Sequence, residues 1–338
     1  MSPTLLRLLA LALVSATLLC AQEPDYTLKV DVPLVTLDVT VENTAGNTIK
    51  DLPREAFELY ENGSRQEIRY FAPVSAPYNV FLLFDRSGST QDKWPVMQRA
   101  IAGFIQSLRP QDKIGIATFD YDIQLQQNWT GDRQKALLTL PNLLISEHIG
   151  ETNFYGAVEE TLRRHFRNST GRRALIVLTD GRDTSFYKDT VNRNRLLDPK
   201  AERPFQSVLK AARAQHIPIY FVAFNTDRNL EPNVAGGDEY RNLRIIFPKS
   251  DVADRYLAAV RSRMEQLADI SGGRILFPEK LEDIVPLYRQ VGEEMGTSYS
   301  LGYLSSNTRM DGSFRRIEVR ARDAGNHVLQ SRNGYYAR

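Results

Sequence analysis

From Tyr78 onward the chain carries apolar runs without polar alternation: Phe81 to Phe84, Ile114 to Phe119, Ala174 to Leu178 and Ile217 to Phe224. A strand with one solvated face alternates apolar and polar residues, so runs of this kind are strands covered on both faces. Between them the apolar residues recur at helical spacing. Trp94, Met97, Ile101, Phe104, Ile105 and Leu108 form one stripe, Phe154, Val158 and Leu162 a second, and Tyr256, Leu257, Val260, Met264 and Leu267 a third. Strand alternating with helix specifies a doubly wound α/β unit: a mainly parallel sheet with helices on both sides. The unit is expected to close with the short strand "GRILF" and a helix striped by Leu281, Ile284, Val285, Tyr288 and Val291.

Both flanks of this unit follow a two-residue period instead. Ahead of it, "LVTLDVTVENTAGN" places Val35, Leu37, Val39 and Val41 on one face and Thr36, Asp38, Thr40 and Glu42 on the other, the pattern of a half-buried strand. "FELYENGSRQEIRYF" sets Asn62-Gly63 between two strand-like runs, and that dipeptide accepts the positive φ angles of a tight hairpin. Behind the unit, "TSYSLGYL", "SFRRIEVRAR" and "VLQSRNGYYA" return to β, which makes Tyr335 and Tyr336 strand residues. Neither flank can bury a core alone, since stretches of about forty residues normally need disulfides or a metal. The expected organisation is one β-sandwich built from residues 27–75 and 296–338, with the α/β domain of residues 76–295 inserted between its halves.

Residues 1–21 read as a secretory signal. Arg7 precedes an apolar stretch, Leu8 to Cys20, that is too short to span a bilayer, and cleavage is expected near Ala21. The mature protein is then secreted, periplasmic or held in the cell envelope, with no membrane span. Cys20 is the sole cysteine, so the mature chain has no disulfide and no thiolate-bound metal; lipid anchoring at Cys20 is the alternative, disfavoured by the bulky Leu19 before it. With 43 Lys and Arg against 41 Asp and Glu, the net charge of +2 supplies no drive toward nucleic acid.

In parallel α/β sheets, ligands collect at the carboxyl ends of the strands. The run "VFLLF" ends there in Asp85, followed by Ser87 and Ser89 in a D-x-S-x-S pattern. "ALIVLTDG" ends in a second acid, Asp180, and "HIGETNFYGAV" places Thr152 just ahead of a helix. Taken singly, Thr152 is a helix N-cap, Ser87 and Ser89 are turn residues, and Asp180-Gly181 is a turn. Together they gather two carboxylates and three hydroxyls, all hard oxygen donors suited to Mg²⁺ first, with Mn²⁺ or Ca²⁺ as alternatives.

In these residues and their order, the stretch from about 76 to 275 resembles a von Willebrand factor type A (VWA) domain, and the three pieces resemble its metal-ion-dependent adhesion site. The resemblance implies that Asp85, Ser87, Ser89, Thr152 and Asp180 occupy the five ligand positions. The flanks, "VTLDVTV", "LPREAFELYENG", "YSLGYL", "DGSFRRIEVR" and "RNGYYAR", are similar to secreted bacterial VWA-related proteins abundant in acidobacteria. The resemblance also implies recognition without catalysis: the metal keeps a position open for the acidic side chain of a protein partner. Two polar stretches, residues 182–204 and 225–251, are longer than ordinary connections and are expected to be insertions bordering the binding face.

Two other function classes compete. A structural or envelope-assembly protein would use the same metal only to lock its loops. A serine hydrolase is disfavoured because "DRSGST" lacks the G-x-S-x-G elbow and because His148, His165, His216 and His327 show no mutual spacing. Phosphoryl transfer lacks a phosphate-cradling G-x-x-x-x-G-K-[ST] loop. The basic run from Arg163 to Arg173 reads as cations complementing the dipole at a helix C-terminus.

Overall fold

The computed structural model describes residues 34–45, 47–87, 90, 93–144, 152–185, 202–224, 251–322, 327–330 and 333–337. The expected signal segment, Ser89 and most of the two polar stretches lie outside these residues. The N-terminal flank supplies β1 (Leu34–Glu42), β2 (Phe57–Glu61), β3 (Ser64–Gln66) and β4 (Ile68–Ala72). The α/β part comes next, with β5 (Tyr78–Asp85), α1 (Trp94–Ser107), β6 (Lys113–Phe119), β7 (Ile123–Thr130), α2 (Arg133–Leu137), α3 (Phe154–Glu160), β8 (Arg172–Thr179) and α4 (Glu202–Gln215). It continues through β9 (Ile219–Ala223), α5 (Val252–Ser271), β10 (Ile275–Leu276) and α6 (Ile284–Thr297). The C-terminal flank adds β11 (Tyr299–Leu304), β12 (Phe314–Ala321), β13 (His327–Gln330) and β14 (Gly334–Tyr336).

The central sheet runs β10-β9-β8-β5-β6-β7. All of its pairings are parallel except that of the edge strand β7 with β6. Successive residues of β5 point to opposite faces, which explains its unbroken apolar run. Phe81 and Leu83 join Phe154, Phe205, Tyr256 and Met264 in the core beneath α3, α4 and α5. Val80, Leu82 and Phe84 join Trp94, Met97, Phe104, Ile284 and Tyr288 beneath α1 and α6. Each face therefore has its own core, and the sheet is wound on both sides. The antiparallel edge β7 and helix α4 add to the expected elements; α4 begins inside the stretch read as an insertion ending at residue 204. At the end of α5, Gly272 takes the left-handed cap (φ 85°). A Cβ on the next residue, Gly273, would lie 2.0 Å from the Ile219 carbonyl oxygen, so only glycine lets the chain enter β10 there.

The flanks form two four-stranded sheets, β13-β1-β11-β4 and β14-β12-β2-β3, and each interleaves strands from both ends of the chain. Their facing side chains, among them Val35, Leu37, Val39, Val41, Leu59, Leu301, Tyr303, Ile317 and Val319, share one core. This is the β-sandwich expected from the alternation. Asn62 (φ 47°) and Gly63 (φ 80°) make the tight turn between β2 and β3. The second half of that hairpin then changes sheets: β3 pairs with β2, whereas β4 pairs with β11.

The structure corrects two expectations. On the polar face of β1, where Thr36, Thr40 and Glu42 stay partly exposed, Asp38 is buried against the amino-terminal ends of the central strands. It accepts hydrogen bonds from the hydroxyls of Ser300 (2.6 Å), Tyr220 (2.8 Å) and Tyr78 (3.0 Å). The basic run, likewise, divides in two. Arg163 and Arg164 pair with Glu159 and Glu160 at the helix end, as a solvated face would. Arg172, at 1% exposure, is instead a core residue. Its guanidinium lies 3.8 Å over the Tyr78 ring. It donates to the carbonyls of Val74 (3.1 Å), Ala76 (3.3 Å), Met295 (3.0 Å) and Ser298 (2.5 Å) and to the Ser300 hydroxyl (3.2 Å). Both crossings between sandwich and α/β domain are thereby fastened to the start of β8, at the end of the sheet opposite Asp85.

Candidate functional site

β5 and β8 are neighbours in register, with Phe84 opposite Leu178, so the acids at their carboxyl ends emerge side by side. Asp85 is fully buried. Its Oδ1 accepts the backbone N–H of Ser87 (3.0 Å) and its Oδ2 the hydroxyl of Thr179 (2.6 Å), the last residue of β8. Thr90 holds the loop from the other side, its hydroxyl donating to the carbonyls of Asp85 (3.0 Å) and Ser87 (2.9 Å). The same two-residue side-chain turn recurs along this edge of the sheet. Asp120 accepts from Asp122 N–H (3.1 Å), Asp180 from Arg182 N–H (3.2 Å) and Asp183 from Ser185 N–H (2.9 Å). Short polar side chains thus let three buried strands end abruptly while keeping their carboxylates at the edge.

The charges around these acids are unevenly matched. Arg86 binds Asp120, its Nε 3.0 Å from Oδ2, with both side chains buried. Arg182 lies 3.6 Å from Asp180. Asp85 forms no ion pair among the described residues. Burial, and then the negative charge of Asp180, push its carboxyl up to about 7, against the pull of its hydrogen bonds from Ser87 and Thr179. A carboxylate so placed calls for a cation or a proton.

Thr152 reaches this edge through a reciprocal clasp. Its N–H donates to the Thr184 hydroxyl (2.6 Å) and its carbonyl accepts from Thr184 N–H (2.8 Å). Asp183 reinforces the clasp by accepting from Tyr155 N–H (3.1 Å). The cap of α3 is Asn153, which accepts from Gly156 N–H (3.1 Å). The N-cap reading therefore belongs to Asn153, not to Thr152. The Thr184 side chain supplies half of the clasp and is itself buried. Thr184→Val should thus lower unfolding free energy by about 1–3 kcal/mol, measured by urea denaturation.

Of the five residues expected to ligate a metal, Asp85, Ser87, Thr152 and Asp180 occupy this carboxyl edge, and Ser89 lies outside the described residues. Among the described residues no three His, Cys, Asp or Glu side chains gather as a metal site. A cation here would accordingly rest on two acids and on hydroxyls. Sequence reasoning passed over Asp120, Thr179, Asp183 and Thr184. Asp120 carried the same signal as Asp85, an acid closing an apolar run, while Asp183 and Thr184 fell inside a stretch read as insertion.

The sheet order, the helices on both faces and the aspartates at the carboxyl edge define a doubly wound α/β domain. The chain belongs to the von Willebrand factor type A domain family, whose pattern matches residues 79–272. VWA domains are often used in protein–protein interaction and adhesion. No curated protein matches the chain. Among solved structures, it is similar to an aerotolerance-related membrane protein from Bacteroides fragilis at 15% identity, over 65% of this chain and 100% of that one, with a TM-score of 0.44. It is also similar to BatB from Bacteroides thetaiotaomicron (16% identity, 65% and 98% covered, TM-score 0.41). A third is the vWF domain of the type V pili tip protein Mfa5 from Porphyromonas gingivalis (11% identity, 65% and 96% covered, TM-score 0.42).

Proposed function

We propose that this chain is a secreted or envelope-associated binding module, not an enzyme, that captures a carboxylate of a protein partner through a divalent cation at the carboxyl edge of its sheet. The observation that carries this reading is Asp85: a fully buried carboxylate beside a second acid, with no ion pair among the described residues. The donor set fits a hard cation, Mg²⁺ first and Mn²⁺ or Ca²⁺ as alternatives. Asp85 and Asp180 would balance its charge, with the hydroxyls of Ser87, Ser89 and Thr152 as further ligands. When bound, the cation supplies an electrophilic position for an incoming oxygen. The chain's own contribution is to hold the donors still: Thr90 and Thr179 fix the Asp85 loop, and Thr184 fixes Thr152.

A hydrolytic role has less support. His165 is stacked on Phe81 with ring centroids 4.7 Å apart, on the flank of the sheet, and His216 comes directly after α4. Export rests on the segment expected to be a signal, and among the described residues no helix is long and apolar enough to cross a membrane.

The test has two parts. Calorimetric titration with Mg²⁺ or Mn²⁺ should give a saturable heat in wild type and none in Asp85→Ala or Asp180→Ala; undiminished heat in both variants would refute the site. Pull-downs from the secreted or envelope fraction of the source cells should then recover a partner with wild type but not with Asp85→Ala or in EDTA. Partners recovered equally in all three cases would favour the loop-locking, structural role, and a hydrolase activity lost in Ser87→Ala would overturn the binding reading.

A further inference from the structure

The junction between the sandwich and the α/β domain forms an open cleft of about 310 Å³, at the end of the sheet opposite Asp85. Tyr70 of β4 lines it from the sandwich, and Arg172 and Arg173 line it from the start of β8. Two of these groups have unused capacity. The Tyr70 hydroxyl is buried and makes no hydrogen bond. Arg173 forms no ion pair among the described residues, and its guanidinium reaches only the carbonyls of Ser169 (3.5 Å) and Gln215 (3.4 Å), both at the outer limit of a hydrogen bond.

Two other charged groups at the cleft are already engaged. The Asp38 carboxylate is bound by three hydroxyls, and Arg172 directs its donors at four carbonyls and Ser300. Arg172 and Asp38 offset one another in charge, which leaves Arg173 as the surplus. Burial raises the Tyr70 hydroxyl's pKa and lowers that of Arg173, and each feels the other's charge. A buried O–H donor and a half-buried guanidinium facing one space form an incomplete anion site, since each has given up water without gaining a full partner.

We infer that this cleft binds a small oxyanion, a carboxylate or phosphate, that accepts a hydrogen bond from Tyr70 and pairs with Arg173. The volume is at the low end for ligand pockets and is ample for phosphate or a small dicarboxylate. Because Tyr70 belongs to the sandwich and Arg173 to the α/β domain, the bound anion would bridge the two. Its occupancy would be read as stability of the whole chain.

The experiment uses the full mature protein, dialysed free of metal so that the carboxyl edge of the sheet cannot respond. Inorganic phosphate and succinate are titrated separately while melting temperature is followed, with sodium chloride at matched ionic strength as control. A saturable rise beyond that in chloride is expected for at least one of them, and which one responds identifies the oxyanion. Tyr70→Phe removes one oxygen with no change in shape and should weaken the apparent affinity about tenfold. Arg173→Gln should abolish the response, and Arg173→Lys, which keeps the charge, should retain a weakened one. The inference is overturned if neither anion stabilises more than chloride, or if Tyr70→Phe and Arg173→Gln respond as wild type does. Neither result bears on metal binding at Asp85.

Discussion

Deleting residues 296–338 should leave a chain that no longer melts cooperatively. The deletion takes β11 from between β1 and β4, and β12 from between β14 and β2. The edge strands β13 and β14 go with them, so each sheet of the sandwich loses an interior strand as well as an edge. β11 pairs with β1 from Leu34–Leu304 to Val39–Tyr299 and with β4 from Ser300–Ala72 onward, so two ladders fail together. The core loses Tyr299, Leu301, Tyr303, Ile317 and Val319, and Val35, Leu37, Val39 and Val41 are left facing water. Five such side chains represent about 7–15 kcal/mol of burial, comparable with the whole stability of an ordinary domain. The same deletion removes Ser300, a ligand of Asp38, and the Ser298 carbonyl bound by Arg172, so the damage reaches the α/β domain. Circular dichroism melts and size-exclusion chromatography would check this. A soluble, monomeric truncation with one sharp transition would show that the sandwich halves do not depend on each other.

The α/β core was legible because burial on both faces leaves a plain trace: apolar runs alternating with helical spacing specify a parallel sheet almost residue by residue. The places of Asp85 and Asp180 at the carboxyl edge were legible for a related reason, since each closes such a run, and those of Ser87 and Thr152 from their positions just after β5 and just before α3. What stayed hidden was chemistry that depends on distant partners. Asp38 alternates as a polar residue should, and nothing local says that three hydroxyls from β5, β9 and β11 will surround it. Arg172 stands among surface cations, and only the pairing of β8 with β5 sends it inward beneath Tyr78. The edge strand β7 was missed because "IQLQQNWT" is mostly polar. Its place in the sheet is held by Trp129, which packs against Phe81 at 5.4 Å and donates its indole N–H to the His165 carbonyl.

Replacing Arg172 by Met should cost the protein about 3–5 kcal/mol and lower its melting temperature by about 10 °C. Methionine keeps much of the stem and its packing but removes every donor. The carbonyls of Val74, Ala76, Met295 and Ser298 then lose this partner where the chain passes between sandwich and α/β domain. Asp38→Asn attacks the same junction from the other side: the amide keeps one acceptor oxygen but turns an N–H₂ group toward hydroxyls that had donated. The two changes should not add, because Ser300 joins them, accepting from Arg172 Nε at 3.2 Å and donating to Asp38 Oδ1 at 2.6 Å. A double-mutant cycle in urea should therefore show a coupling of about 1–3 kcal/mol. Strict additivity would mean that the Ser300 bridge contributes nothing, and an Arg172→Met protein as stable as wild type would mean that the junction is held by its apolar contacts alone. Metal titration of the folded Arg172→Met protein separates the two ends of the sheet. The carboxyl edge lies at the far ends of β5 and β8, so any Mn²⁺ heat that wild type gives at the proposed site should be unchanged while the melting temperature falls.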